Sequence, residues 1–295
     1  MKAEQNLPIS NPDKVFWPEE KYTKGDLADY YREIFPLLRP FVNDRILTLE
    51  RCPDGMKGQC FYQKQKPQGM PPNTPTKRIR NATGKRKATD YVLGGALATQ
   101  MALVNLGCIP VHVACTRAKT FPKSDWLCFD LDPSSGKFAD AARVALLIHP
   151  VLEDLDLKSY PKTSGSRGMH IFIPLRIGPT AYEVLKFAEE FSLRMAKRHP
   201  NEITVERSIA QRGDRVYLDP FRNGLMQTVV SPYSVRRKPH APISTSLAWT
   251  EVSPELDPSG FNLGNFRKRL KKDPWSEFFS NRQILSKALA KLTKI

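Results

Sequence analysis

Apolar positions recur at helical spacing in one N-terminal stretch, where Leu27, Tyr30, Tyr31, Ile34, Leu37 and Leu38 share a face. Thr23 stands where that helix needs an N-cap and Asp26 follows three residues later, so a capped helix is predicted beyond Thr23. Helical periodicity returns at 138–148 and 182–197. Residues 91–106 read as a further helix, weakened by Gly94-Gly95. Shorter apolar runs at 44–50, 109–114, 126–131, 170–174 and 215–218 read as strands. Beyond Leu263 the chain reads as mostly helical and basic. No internal repeat or low-complexity linker interrupts it, and the mixture predicts an α/β fold with two intimately packed halves.

Composition narrows the class. With 295 residues, 40% hydrophobic and 26% charged, the chain suits a folded domain rather than a disordered one. No apolar run approaches the roughly 20 residues that cross a bilayer. The N-terminus lacks the basic-then-apolar layout of a signal peptide, so a cytoplasmic protein without membrane association is expected. The five cysteines, at 52, 60, 108, 115 and 128, are odd in number and form no CxxC. They predict reduced, mostly buried thiols rather than a disulfide framework or a zinc site.

The net charge of +16 points to polyanionic partners. It is unevenly spread. From Gly55 to Thr89 there is no acidic residue, while Lys57, Lys64, Lys66, Lys77, Arg78, Arg80, Lys85, Arg86 and Lys87 all fall inside. Phe61 and Tyr62 beside Lys64 suggest base stacking combined with phosphate contacts. Pro67, Pro71, Pro72 and Pro75 make a regular helix there unfavourable. Smaller basic clusters occur at 236–238 and 267–272.

Chemistry enters with the acids. Asp130 and Asp132 end an apolar run, and in a strand residues i and i+2 share a face. Two such carboxylates repel unless a cation joins them, and hard oxygen donors suit Mg²⁺ or Mn²⁺. The bland alternative is a surface turn before Pro133. Asp219 ends a second short apolar strand and could complete a two-metal site for in-line phosphoryl chemistry. The segment 163–170, Thr-Ser-Gly-Ser-Arg-Gly-Met-His, offers glycines, hydroxyls, Arg167 and His170 to a phosphate, or is simply a hairpin turn. It is not a P-loop, because no GK[ST] occurs and a strand follows.

Taken in order, FDLDP at 129–133, TSGSRGMH at 163–170, YLDPFRN at 217–223 and SPYSVR at 231–236, with FYQK at 61–64, resemble the polymerase domain of bacterial ligase D. That family belongs to the archaeo-eukaryotic primase superfamily. The resemblance runs from Asn11 to about Lys272. It implies a mixed α/β primase-like core, with an RRM-like sheet packed against a second small α/β subdomain. The chain would form a single primase-polymerase domain over 1–295, with DNA-binding elements and a basic loop over about 1–90, a catalytic core over about 91–265 and a basic helical segment over about 266–295.

The resemblance also implies roles. Asp130, Asp132 and Asp219 would hold two divalent ions, Mn²⁺ or Mg²⁺. Ser164, Arg167, His170 and Arg236 would bind the triphosphate of an NTP or dNTP, and His112 would lie near its sugar, a position associated with ribonucleotide preference. Phe61, Tyr62 and Lys64 would meet the template, and Lys14 and Lys24 a downstream 5′-phosphate at a gap or broken end. Ku and a separate or fused DNA ligase would be partners, and the location would be cytoplasmic and nucleoid-associated. The chain departs from many relatives at 220–223, where Pro-Phe-Arg-Asn replaces a Trp- and Gln-containing turn, so Arg222 would take over a nucleotide contact. It also has Arg167 in place of a common Lys, and Val113-Ala114-Cys115 after His112. A metal-dependent nuclease and a non-catalytic end-binding module are the alternatives.

Overall fold

The computed structural model describes residues 8–81, 87–270 and 273–293. A short ribbon, β1 (Val15–Trp17) and β2 (Tyr22–Thr23), leads into α1 (Lys24–Val42). The predicted cap forms: the Asp26 amide donates to Thr23 Oγ1 at 3.1 Å, and the Thr23 amide donates back to Asp26 at 2.7 Å. The buried face of α1 carries Leu27, Tyr30, Tyr31, Ile34 and Leu38 as expected, together with Phe35.

Next come β3 (Arg45–Arg51), β4 (Phe61–Gln63), the hairpin β5 (Thr76–Arg80) and β6 (Ala88–Val92), α2 (Leu97–Asn105) and β7 (Cys108–Arg117). The helix expected over 91–106 is therefore two elements. Tyr91 and Val92 pair with Lys77 and Thr76 instead. Gly95 turns the chain at φ +120°, and a Cβ on Gly94 would lie 2.6 Å from the Val42 carbonyl oxygen, so no helix can run through this point.

The remaining core elements are β8 (Trp126–Pro133), α3 (Phe138–Asp154), β9 (Tyr160–Thr163), β10 (Met169–Pro174), α4 (Ala181–Arg198), β11 (Ile203–Thr204), β12 (Val216–Asp219) and β13 (Thr228–Val230). They complete two sheets, ordered β11-β12-β8-β10-β9 and β13-β7-β3-β4. One core packs the first sheet against α3 and α4, and the other packs the second sheet against α1 and α2. The C-terminal region is less helical than expected. Helix is confined there to Arg267–Leu270 and Leu285–Leu292 among the described residues, and Trp275 and Phe278 enter the core from turns, stacked at 5.1 Å.

The cysteine expectation fails at one place. Cys52 and Cys60 form a disulfide, while Cys108, Cys115 and Cys128 are buried free thiols. The cause is local: β3 and β4 pair with Arg51 opposite Phe61, so the next residue on each side falls opposite the other, with Cα atoms 4.4 Å apart. Counting cysteines cannot reveal a pair created by a hairpin.

Candidate active site

Strand alternation decides what faces the cleft between the sheets. On β8, Leu127, Phe129 and Leu131 enter the core under α3 and α4, so Asp130 and Asp132 point to the opposite side. Register then aligns one rung over four strands. Lys162 on β9 opposes His170 on β10, His170 opposes Asp130, and Asp130 opposes Asp219 on β12. The third carboxylate expected on a neighbouring strand is thus directly across from the first.

The rung is electrostatically graded. Burial first, then the Lys162 charge, push the His170 imidazole down to about 4, so it is neutral at pH 7. Its Nε2 lies 3.2 Å from Asp130 Oδ1, while its buried Nδ1 has no hydrogen-bond partner. Burial alone would raise Asp130, but His170 and Arg222 outweigh it and hold the carboxyl well below its usual range. Asp219 moves the other way, raised by burial and then by the Asp130 charge. Arg222 bridges the two, with Nε 3.0 Å from Asp130 and 3.4 Å from Asp219. Asp132 is more exposed and lies 3.4 Å from Arg212.

Sequence reading assigned no role to two other residues here. Fully buried Asn223 accepts the Cys128 amide at 2.8 Å and donates to the Cys128 and Pro220 carbonyls, clamping the turn that follows Asp219 onto β8. Its place in the YLDPFRN segment was the available signal. Lys162, also fully buried, donates to the Ser244 hydroxyl, and burial brings its ammonium down to about 7. The unfolded chain keeps that proton up to its ordinary pKa near 10.5, so between about pH 7 and pH 8.5 it binds more protons than the folded one. Stability should therefore rise with pH over that window, by up to about 1.4 kcal/mol per unit, before exposed thiols begin to titrate. Lys162→Met should flatten the slope in urea unfolding run in the absence of metal; an unchanged slope would assign the dependence elsewhere.

The second sheet supplies the opposite wall. Tyr62, His112 and Arg236 line a cavity of about 320 Å³ with Asp130, His170 and Arg222. Burial lowers the His112 imidazole, and its Nε2 has no hydrogen-bond partner. Beyond Arg222 lies a second cavity of about 510 Å³, lined by Asp132, Arg207, Arg212, Tyr217, Asp219 and Phe221 among others.

Other predicted site residues are placed differently. Ser164 Oγ accepts the Ser166 and Gly168 amides, and the Ser164 carbonyl accepts a hydrogen bond from Arg236. A Cβ on Gly168 would lie 2.3 Å from the Leu131 carbonyl oxygen, so this turn needs glycine to reach β8. Arg167 is exposed beside Gly136 and does not line the cavity. Phe61 and Lys64 are exposed, with Arg51 5.3 Å over the Phe61 ring. Lys14 pairs with Asp54 at 2.6 Å. Lys24 is buried, donating to Ser10 and Asn105, and burial followed by the Lys14 charge lowers it.

The basic run is not a uniformly free face. Lys57 pairs with Glu19, and Lys66 and Lys77 donate to backbone carbonyls. Lys85 and Arg86 lie outside the described residues. Among the described residues, no helix is long and apolar enough to cross a membrane.

A family model described as LigD, primase-polymerase domain matches residues 23–275. The chain belongs to this family. It is accordingly a nucleotidyltransferase domain. Similar curated proteins include the bifunctional non-homologous end joining protein LigD of Bacillus subtilis, 29% identical over 281 residues, covering 94% of this chain and 45% of that protein. The multifunctional non-homologous end joining protein LigD of Mycolicibacterium smegmatis is 27% identical over 260 residues, covering 87% of this chain and 34% of the relative. This primase-polymerase chain therefore spans less than half the length of either. The polymerase domain of Mycobacterium tuberculosis ligase D, solved in complex with DNA, superimposes with a TM-score of 0.87 at 25% identity, covering 95% of this chain and all of that one. The fold is the mixed α/β architecture of that domain.

Proposed function

We propose that this domain performs template-directed nucleotide addition to a primer 3′ end at short gaps or double-strand-break ends, as part of non-homologous end joining. The supporting observation is that Asp130, paired across the sheet with Asp219, lines a cavity that also receives His112, His170 and Arg236. A nuclease would need the carboxylates but not the cationic and imidazole wall beside them. DNA primer-template with a 5′-phosphorylated downstream end, held by Lys14, Lys24, Phe61, Tyr62 and Lys64, is the substrate in this reading. Ku and a fused or separate ligase are its partners, and a cytoplasmic, nucleoid-associated location follows.

The donor set of Asp130, Asp132 and Asp219 is all carboxylate, which fits hard divalent cations such as Mg²⁺ or Mn²⁺. Among the described residues no cluster of three or more ligating side chains is preassembled as a metal cage. Arg222 lies between two of these carboxylates and Arg212 beside the third, so admitting a cation requires Arg222 to leave. When bound, such ions supply Lewis-acid stabilisation of the transferring phosphoryl group. The chain's own contribution is positional. Arg236 and His170 orient the triphosphate, with Ser164 holding Arg236 through its carbonyl; the His170 Nδ1 gains a proton and a partner when an anion arrives; and Arg222 moves from carboxylate to phosphate.

Primer extension on gapped DNA tests this reading, varying the metal, the 5′-phosphate and the sugar of the nucleotide. Extension with preference for ribonucleotides and for 5′-phosphorylated gaps is expected; shortening of the primer without extension would favour the nuclease. Arg222 gives a separate check. Arg222→Gln should bind Mn²⁺ about tenfold more tightly than wild type in a spin-resonance titration without nucleotide, about 1.4 kcal/mol for removing a competing cation. Unchanged Mn²⁺ affinity would show that Arg222 does not compete.

A further inference from the structure

One covalent bond joins a fixed part of the second sheet to a lightly held strand. The Cys52–Cys60 disulfide closes the loop between β3 and β4. Its first arm is fixed: Cys52 is fully buried in the core under the second sheet, and its amide donates to the Gly107 carbonyl at 2.7 Å. The body of the loop is fixed too, because the Met56 amide donates to the Phe16 carbonyl at 2.8 Å, and Asp54 and Lys57 pair with Lys14 and Glu19. The second arm is different. Cys60 is partly exposed and leads directly into β4, a three-residue strand at the edge of its sheet. β4 meets β3 over three residue pairs, and its Phe61 and Tyr62 are 46% and 67% exposed. A pairing this short is marginal by itself, so a covalent tie immediately before the strand bears directly on its order.

The other three cysteines stand apart. Cys108, Cys115 and Cys128 are buried thiols, and burial raises all three above the ordinary thiol value, so they stay protonated and out of exchange. A dithiol reductant therefore has one target in this chain. Its thiolate attacks the more accessible sulfur, that of Cys60, forming a mixed disulfide and expelling the Cys52 thiolate, which takes up a proton. The second thiol of the reductant then attacks the reductant's own sulfur in the mixed disulfide. Cys60 leaves as a thiolate and is protonated, and the reductant ends as a disulfide. Two electrons and two protons have passed to the protein. In the cytoplasmic location proposed above, disulfides are characteristically transient and redox-sensing.

We propose that Cys52–Cys60 is a redox-reactive site, opened by cellular dithiols, whose closure orders β4 so that Phe61 and Tyr62 present a fixed face to unpaired template bases. Reduction frees Cys60, loosens β4 from β3 and weakens the hold on single-stranded template. This rests on the reading of Phe61 and Tyr62 as template contacts.

The test uses the whole chain after air oxidation and after treatment with dithiothreitol. Thiol titration of the denatured protein should find three thiols in the first state and five in the second. Hydrogen exchange reads order at 60–63 and, for comparison, in β8, while fluorescence anisotropy reads affinity for a primer-template with a single-stranded overhang. Reduction should speed exchange at 60–63 about tenfold, leave β8 unchanged and weaken binding about fivefold, the size of one modest base stack. Cys60→Ser, at a partly exposed position, should match reduced wild type and ignore dithiothreitol. Five thiols persisting after oxidation would overturn the proposal, as would exchange at 60–63 that differs less than twofold between the states. An equal rise in β8 would overturn it too, making the disulfide a general staple, and so would a Cys60→Ser protein that still responds to dithiothreitol. Tyr62→Ala separates the reading beneath. Affinity unmoved by reduction but weakened by Tyr62→Ala sinks the redox role alone; affinity unmoved by either sinks the template reading with it.

Discussion

Replacing Asp130 with Asn should reduce primer extension by about three orders of magnitude while leaving DNA affinity unchanged or slightly higher. The side chain sits at the centre of the rung, receiving His170 on one side and Arg222 on the other, with Asp219 directly opposite. Asn keeps the shape and one acceptor but removes the charge that a divalent cation requires. Losing the Lewis-acid contribution is worth several kcal/mol, and about 4 kcal/mol corresponds to a thousandfold in rate. DNA affinity should survive because the proposed DNA contacts, Phe61, Tyr62 and Lys64, stand on the other sheet's hairpin side. Extension reduced by less than tenfold would remove Asp130 from the metal site.

Much of this arrangement was legible in the sequence, for identifiable reasons. Alternation on β8 placed Asp130 and Asp132 on one face because Leu127, Phe129 and Leu131 claim the other. The Thr23 cap was legible because a capping box is a contact between residues three apart. What stayed hidden depends on register between distant strands. Nothing local says that Asp219 faces Asp130 rather than Asp132, or that Lys162 joins the same rung. Arg167 shows the converse, since its motif position suggested the phosphate site while the turn directs it toward Gly136.

Asp125→Ala should lower the unfolding free energy by about 3–5 kcal/mol, the largest stability effect expected from a single substitution here. Asp125 immediately precedes β8 and is 1% exposed. It accepts Arg45 at 2.5 Å and Arg117 at 2.6 Å, so residues on β3 and β7 of one sheet are tied to the entry of the central strand of the other. Arg45 is fully buried, its guanidinium 3.3 Å over the Trp126 ring and bonded to the Ala114 and Cys115 carbonyls. Removing Asp125 leaves that cation buried without a counterion, which costs far more than the pair contributes relative to an apolar pair of similar size. Burial opposes ionisation of Asp125, yet Arg45 and Arg117 hold its carboxyl below the usual range. Its stabilisation is thus complete above the unfolded carboxylate pKa and fades as pH falls through the lower folded value. Urea unfolding separates the two ideas: Asp125→Ala should shift the midpoint strongly, whereas Arg45→Met with Asp125→Leu should recover most of the loss, leaving only the partly exposed Arg117 without its partner. A single-variant loss below about 1 kcal/mol would mean that apolar packing, rather than this ion pair, fixes β8 and its aspartates against the second sheet.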